Sequence, residues 1–372
     1  MTHNSILHLI DSSGMYGAEK MLLMLLEQLQ RSKYPGILGC IRENTSETPD
    51  IAREAEHIGI PVVYFTMRRG YNLKGIRSIF RFINDQDIKI VHSHGYKSNI
   101  FLGLQFKTEF KRISTIHGWS KEYGGLKNKT YEMLDSISLR RFDAVVAVSQ
   151  SVATDLRKKG LNGRNITVIH NGLKATNNID DADIADLRQK YALSENSFVI
   201  GTVGRLVPIK GQAFLIRAMA EVVKEIKNCH LLIAGEGPLR NNLQAEIDRL
   251  NISHNVQFIG YVHDINIMMA TIDLFVLPSL SEGLPISLLE AMAAKIPVVA
   301  SDAGGIREVV MDGVDGILVP PSDSISLANA IKRLYNNREL LSNIAMHGEM
   351  KVRKYFSAFS MAENYKSIYS RL

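Results

Sequence analysis

Leu277–Ala294 reads LPSLSEGLPISLLEAMAA, and the reading of this stretch decides the fold. The apolar run Asp273–Leu277 has the length of a buried strand and stops at a Pro–Ser turn. Glu282 and a Gly–Leu–Pro step follow, then an apolar-periodic helix carrying Glu290. Pro285 suits the first helical position, where a missing N–H costs nothing. Gly283 and Leu284 before it are poor N-caps. The pattern therefore predicts first-turn N–H groups open to an anion, a placement the helix dipole favours. The plainer alternative is that Ser281 or water satisfies those donors and that both glutamates face solvent, as helical carboxylates usually do.

Outward from this element, strands and helices alternate in both directions. Toward the C-terminus come strand Ile296–Ala300, a Gly304–Gly305 turn, a short helix, strand Gly316–Val319 and terminal helices. Toward the N-terminus lie strand Phe198–Val203 with the loop GRLVPIKG, helix Gln212–Ile226, strand His230–Ala234 with GEGP, helix Leu239–Leu250 and strand Val256–Ile259. A polar, acidic stretch from Ala175 to Asp186 reads as a linker. Before it an earlier alternation begins at SILHLI (5–10) and ends at strand Ile166–Ile169. Repeated alternation predicts an α/β chain with two doubly wound parallel sheets, each in its own domain. The expected division is 1–172, with a helix over about 356–372 returning to it, and 173–355. Ligands of such sheets bind at the C-terminal ends of the strands.

Composition narrows the function. The chain has 372 residues, 45% hydrophobic and 22% charged, which fits two ordinary globular domains. It has no apolar run near the ~20 residues of a membrane span. The first apolar run is too short for a signal-peptide core, so the expected compartment is the cytoplasm. Cys40 and Cys229 read as free thiols, and no Cys/His spacing suggests zinc. The Asp-x-Asp pairs Asp85–Asp87 and Asp181–Asp183 precede a strand and lie in the linker, so they read as solvated and no metal is expected. Residues 1–172 hold 24 Lys+Arg against 16 Asp+Glu, leaving 20 against 22 in the rest. A basic first half admits an anionic membrane surface, such as the inner face of the plasma membrane, or an anionic acceptor. Arg68, Arg69, Lys74, Arg77 and Arg81, with Tyr71, Phe80 and Phe82 among them, would make a membrane-facing surface. The alternative is a helix packed on the sheet with a solvated basic face. No nucleic-acid motif with interleaved aromatics appears, and nucleic acid ranks last among partners.

The unusual polar residues fall where strands end. Arg205 and Lys210 sit in the loop after strand Phe198–Val203, between Gly204 and Gly211, and two cations beside a helix start suit a diphosphate. Glu282 and Glu290 belong to the same predicted sheet, and carboxylates accept hydrogen bonds from sugar hydroxyls. Together these groups describe a nucleotide diphosphate-sugar, with hydroxyls at either end and charge in the middle.

With those residues in place, the chain resembles the retaining glycosyltransferases of family 4 (glycosyl transferases group 1). The resemblance rests on Glu282-x7-Glu290, the GRL…KG loop, GEGP, FIGYV and GGIREVV in the second half. In the first half it rests on SSGMYGAEK, HSHG, TIHG, VAVSQSVATDL and VIHNG. It covers essentially the whole chain and implies the GT-B fold, two Rossmann-like domains facing across a cleft. It also implies roles. Arg205 and Lys210 would bind the donor diphosphate, Glu282 the sugar hydroxyls and Glu290 the ribose. Backbone at Gly204, Gly283, Leu284, Pro285 and Ile286 would touch sugar or phosphate, and backbone at Tyr261 and Val262 the base. Gly14 and Gly17 would bring the first-domain backbone to the diphosphate. His117 matches the acceptor-side histidine near the reacting centre, and His94, Trp119 and Lys121 would line the acceptor site. Lys174, after the NG turn, stands where the family usually has an acidic residue.

The resemblance further implies sugar transfer from a UDP- or GDP-sugar to an acceptor hydroxyl, with retention and without metal or resident cofactor. The setting would be polysaccharide, lipopolysaccharide or glycolipid synthesis. A sugar-nucleotide epimerase of the same fold and a non-catalytic sugar-nucleotide-binding protein remain alternatives. An NAD-dependent dehydrogenase does not fit, because neither SSGMYG nor GEGP supplies the Gly-x-Gly-x-x-Gly pattern.

Overall fold

A computed structural model describes residues 5–12, 14–67, 72–105, 108–118, 126–161, 166–174, 180–262 and 264–372. The predicted residues Arg68, Arg69, Tyr71, Trp119 and Lys121 lie outside these. The chain forms two compact units, Met1–Lys174 with Ser357–Leu372, and Ala175–Phe356.

The first unit runs β1 (Ile6–Asp11), α1 (Gly17–Leu29), β2 (Gly36–Arg42), α2 (Asp50–His57), β3 (Val62–Thr66), α3 (Leu73–Asp85), β4 (Ile90–Ser93), α4 (Tyr96–Gly103), β5 (Lys111–Ile116), α5 (Leu126–Leu139), β6 (Ala144–Ala147), α6 (Gln150–Lys158) and β7 (Ile166–Val168). The second runs α7 (Asp181–Lys190), β8 (Phe198–Val203), α8 (Gln212–Glu225), β9 (Cys229–Ala234), α9 (Arg240–Arg249), β10 (Val256–Gly260), α10 (Ile265–Thr271), β11 (Leu274–Leu277), α11 (Ile286–Ala293), β12 (Val298–Ser301), α12 (Ile306–Val309), β13 (Ile317–Val319), α13 (Ser324–Asn336) and α14 (Arg338–Tyr355). The last helix, α15 (Ala358–Tyr369), belongs to the first unit and packs beside α1.

Both sheets are parallel. The first has seven strands in the order β3-β2-β1-β4-β5-β6-β7, and the second six in the order β10-β9-β8-β11-β12-β13. In each, the chain winds outward one way, returns to the middle and winds out the other way. The order reverses between β1 and β4 in the first sheet and between β8 and β11 in the second. A crevice opens at such a reversal, because the loops after the two strands diverge to opposite faces.

Burial follows the sequence pattern. Strands covered on both faces read as continuous apolar runs, and β9 and β11 are buried almost end to end. α1 turns Met21, Leu22, Leu25, Leu26 and Leu29 inward, each contributing on the order of 2 kcal/mol by burial. α3 buries Ile76, Ile79 and Ile83 and exposes Lys74, Arg77 and Arg81. Phe80 packs on Phe110 and Phe82 on Phe65, so these two rings serve the fold rather than a membrane-facing surface. Cys40 and Cys229 are buried free thiols, and burial pushes both up to about 12. Among the described residues, no helix is long and apolar enough to cross a membrane.

Helix capping shows a pattern. The side chains of Asn72, Ser149, Asp180, Asp264, Asp323, Asn337 and Ser357 cap α3, α6, α7, α10, α13, α14 and α15. The helices that follow β4, β8 and β11, which are α4, α8 and α11, have Gly95, Gly211 and Pro285 at their starts and no side-chain cap. α2, α9 and α12 also lack one. Pro285 is thus the residue before the first helical position rather than the first itself. Its φ of −74° fits a helix, but its ψ of 116° is extended.

Candidate functional sites

In the second unit the predicted groups converge at the β8/β11 reversal. Lys210 closes the loop after β8, and its Nζ lies 2.7 Å from Glu282 Oε1 in the loop after β11. Ser279 Oγ donates to the same carboxylate oxygen at 2.6 Å. The Glu282 side chain is only 9% exposed and that of Lys210 25%, so neither is the solvated surface charge of the plainer reading.

Glycines set this geometry. At Gly211, φ is +66°, and a Cβ would lie 2.0 Å from the Pro278 carbonyl oxygen. Only glycine lets the two loops approach so closely. Leu280 N–H donates to Ile209 O at 2.8 Å and ties them together. From the far side, Gly305 N–H donates to Glu282 O at 3.0 Å, and a Cβ on Gly304 would meet that same oxygen at 2.1 Å. The Glu282 backbone is therefore held by the turn after β12.

Arg205 is half-buried in the same loop as Lys210, and its carbonyl accepts from Gln212 Nε2 at 3.0 Å. Gly204 N–H donates to Ala234 O at 3.0 Å, locking the loop to the end of β9. Gly283, Leu284, Pro285 and Ile286 span the step from Glu282 into α11, whose first turn has no side-chain cap. Glu290 is half-buried on α11. Tyr261, exposed, and Val262, half-buried, follow β10 at the edge of the sheet, two strands from β8. A cation, a carboxylate and uncapped helical N–H groups at one switch point can bind a polyhydroxy anion.

In the first unit the β1/β4 reversal is flanked by Gly14 and by His94 and Gly95. Ser12 Oγ donates to Gly14 O at 2.9 Å, and Gly17 opens α1. Lys174 forms an ion pair with Glu27 at 2.7 Å. His94 and His117 follow β4 and β5, with ring centroids 6.2 Å apart. The structure adds two residues that the sequence reading passed over, His8 on β1 and His92 on β4. His8 Nδ1 lies 3.1 Å from His94 Nε2. The His92 ring lies tilted against that of His94, with centroids 4.1 Å apart. Its Nδ1 bonds Tyr369 Oη and its Nε2 bonds Thr115 Oγ1, both at 2.8 Å, and Thr115 Oγ1 in turn meets Tyr365 Oη at 2.9 Å. Two-residue periodicity puts His92 and His94 on one face of the sheet. On the other face Ser93 and Ser114 reach Asn99 of α4, whose Nδ2 donates to Asp135 of α5 at 2.8 Å.

Burial lowers the histidine pKa values, to about 3 for His8, to about 4 for His117, and well below the ordinary value for His92 and His94. The Tyr369 hydroxyl is pushed well up by the same cause. The block is therefore neutral at neutral pH. Among the described residues, three buried nitrogens in it have no partner, His8 Nε2, His94 Nδ1 and His117 Nε2. His8, His92 and His94 form the one group of potential metal ligands among the described residues, with ring nitrogens within 4.8 Å. His8 and His94 bond to each other, however, and hydroxyls occupy both nitrogens of His92, so a hydrogen-bonded network fits them better than an ion.

Comparison with known proteins identifies the family of the chain. Residues 183–350 match the family model described as glycosyl transferases group 1, and residues 15–176 match that of glycosyltransferase family 4. The chain is 30% identical over 268 residues to the capsular polysaccharide biosynthesis glycosyltransferase CapM of Staphylococcus aureus, covering 70% of each chain. It is 24% identical over 362 residues to the UDP-Gal:alpha-D-GlcNAc-diphosphoundecaprenol alpha-1,3-galactosyltransferase of Escherichia coli, covering 95% of this chain and 93% of that one. The crystal structure of Anabaena Alr3699/HepE in complex with UDP-glucose superposes with a TM-score of 0.88 at 25% identity, covering 99% of this chain and 100% of that one.

Proposed function

We propose, on the premise that this chain belongs to glycosyltransferase family 4 with the GT-B fold, that it is a retaining transferase. It moves a sugar from a nucleoside diphosphate-sugar to an acceptor hydroxyl in cell-surface polysaccharide or lipopolysaccharide synthesis. The observation that carries this reading is the Lys210–Glu282–Ser279 cluster beside the uncapped start of α11. The UDP-glucose held by the similar Anabaena protein supports a nucleotide-sugar as the donor.

In this reading Lys210 and Arg205 take the diphosphate, and Glu282, released from Lys210 as the phosphate arrives, takes sugar hydroxyls. Glu290 takes the ribose, and Tyr261 and Val262 lie against the base. Gly14 and Gly17 offer backbone to the diphosphate. His94 and His117 hold the acceptor. The acceptor oxygen attacks the anomeric carbon from the face that the phosphate leaves, the bond from carbon to phosphate oxygen breaks, and the hydroxyl proton passes to the departing phosphate. Glu282 is engaged by Lys210 and Ser279, which suits a ligand-binding carboxylate better than a nucleophile. Catalysis then rests on positioning and on cations that offset phosphate charge. Arg205→Ala and Lys210→Ala should each lower turnover at least ~100-fold, the scale of losing one charge-stabilising donor. Near-normal kinetics in both would sink the assignment. No metal takes part in this scheme, and activity lost in excess chelator would count against it.

The galactosyltransferase relative acts, by its name, on a diphosphoundecaprenol-linked sugar. A lipid-linked acceptor and the exposed Lys74, Arg77 and Arg81 suit work at an anionic membrane surface. Co-sedimentation with anionic vesicles that fades as salt rises is the expected result, and none at low salt would refute it.

A further inference from the structure

We propose that Gln212 is a positioning residue that holds Arg205 at the spacing from Lys210 that a diphosphate bridges. The inference rests on the reading of Arg205 and Lys210 as the cations of the donor site, and extends it to a residue that acts through Arg205. Gln212 is the first residue of α8, directly after the left-handed Gly211, and is 3% exposed. Its Nε2 donates to Arg205 O at 3.0 Å. Turned over, the amide would set its oxygen against that carbonyl oxygen, so its orientation is fixed. The other amide atom, Oε1, is enclosed and has no partner among the described residues.

The bond holds one peptide plane. Leu206 N–H donates to Glu236 O, in the loop after β9, at 2.8 Å. Arg205 O, at the other end of the same peptide, points the opposite way and meets Gln212. The plane is thereby stretched between the β9 loop and α8. Arg205 O also accepts from Val207 N–H at 2.9 Å, but Val207 belongs to the same loop and moves with it. Gln212 fastens the loop to the helix instead. It does so beside the Lys210 stem, for a Cβ on Gly204 would meet Lys210 Cδ at 3.5 Å and Gln212 Nε2 at 3.8 Å.

The fold alone does not call for an amide at this position. A buried acceptor without a partner costs free energy, and an apolar group of the same shape in its place is close to neutral or stabilising. Methionine has nearly the length and the helix propensity of glutamine. With methionine there, Arg205 O would keep its bond from Val207 N–H. A polar group buried without gain to the fold marks a place where the site sets the residue.

The test is Gln212→Met in the full chain, with UDP and GDP as probes in calorimetry. The nucleotide that binds the wild type should bind Gln212→Met roughly tenfold more weakly, the scale of one hydrogen bond. The melting temperature without ligand should stay at or above that of the wild type. Added to Arg205→Ala, Gln212→Met should weaken binding no further, because the two residues act as a unit. A melting temperature lowered by more than about 2 °C, or a variant that does not fold, shows that the amide serves the fold and overturns the proposal. Unchanged nucleotide affinity, or the same loss again in the Arg205→Ala background, overturns it as well. A wild type that binds neither nucleotide, or a Lys210→Ala protein that binds as the wild type does, overturns the donor-site reading itself. A weakened Lys210→Ala beside a normal Gln212→Met overturns only the role given to Gln212.

Discussion

The two sheets share one winding plan and fill it with different chemistry. Around its reversal the second sheet is almost wholly apolar, FVIGTV in β8, LFVL in β11 and VVAS in β12, and its polar groups stand in the loops beyond. The first sheet buries His8, His92, Ser93, Ser114 and Thr115 in the strands themselves. Topology places a crevice in both, since it depends only on strand order. An apolar strand stabilises by burial and leaves the loops free to carry charge. A polar strand needs a partner for each buried group, because an unpaired one costs on the order of 1–3 kcal/mol. The first unit meets that need at His92 and Thr115 with Tyr369 and Tyr365, which the chain supplies from its far end.

The contrast can be broken first at the second unit's loops. Gly211→Ala forces a Cβ toward the Pro278 carbonyl in a left-handed backbone conformation, and should cost about 3 kcal/mol or more. It should also abolish donor binding, read by calorimetry. Unchanged stability and binding would mean that the close approach of the loops is dispensable.

The next effect is acid lability concentrated in the first unit. Folding lowers the pKa of His8 from its ordinary 6.5 to about 3. The unfolded chain therefore takes the proton first as pH falls. The stability this neutral histidine permits is complete above about pH 7 and is lost from 6.5 downward, about 2 kcal/mol by pH 5. His117, His92 and His94 act in the same direction. In the second unit, among the described residues, half-buried His230 is the one histidine with a lowered pKa, and the lowered carboxyls of Glu246 and Asp323 lose their stabilising contribution only below about pH 5. Melts at pH 7.5 and pH 5 can be followed by hydrogen exchange of the strand amides of each unit, β1 and β4 in the first and β8 and β11 in the second. Protection in the first unit should fall further than in the second. Equal shifts would remove the distinction between the units.

Smaller effects should separate the two interiors. Tyr369→Phe deletes one oxygen and strands His92 Nδ1, at a cost of about 1–3 kcal/mol. Ile233→Val on β9 deletes one methylene from an apolar core and should cost about 1 kcal/mol. Denaturant midpoints measure both, and the reverse order would contradict the account of the two interiors.

Much of this was legible in the residues. Continuous apolar runs marked the strands, and the glycines after β8 and β12 marked the close turns. Lys210 and Glu282 could be assigned to one sheet, but not their direct pairing, which depends on β11 returning beside β8 across 72 positions. HSHG at 92–95 puts His92 and His94 on one strand face by its period of two, a signal the sequence reading passed over. That His8 and Tyr369 meet them is a fact of tertiary order, since each lies far away in sequence. Phe80 and Phe82 misled because an aromatic ring on an amphipathic helix suits a membrane or a core equally well, and the packing partners Phe110 and Phe65 decide between them. Pro285 was misplaced by one residue because its φ suits either side of a helix boundary.

The central claim is that the loops after β8 and β11 clamp a nucleotide-sugar. Its most direct test is a thermal-shift panel of UDP- and GDP-sugars on the wild type and on Lys210→Ala. A ligand that binds only the folded state adds about 2.7 kcal/mol at a hundred times its Kd. The account predicts that at least one sugar nucleotide raises the melting temperature of the wild type and that Lys210→Ala loses most of that rise. A panel with no response, or a rise that survives Lys210→Ala intact, would contradict it.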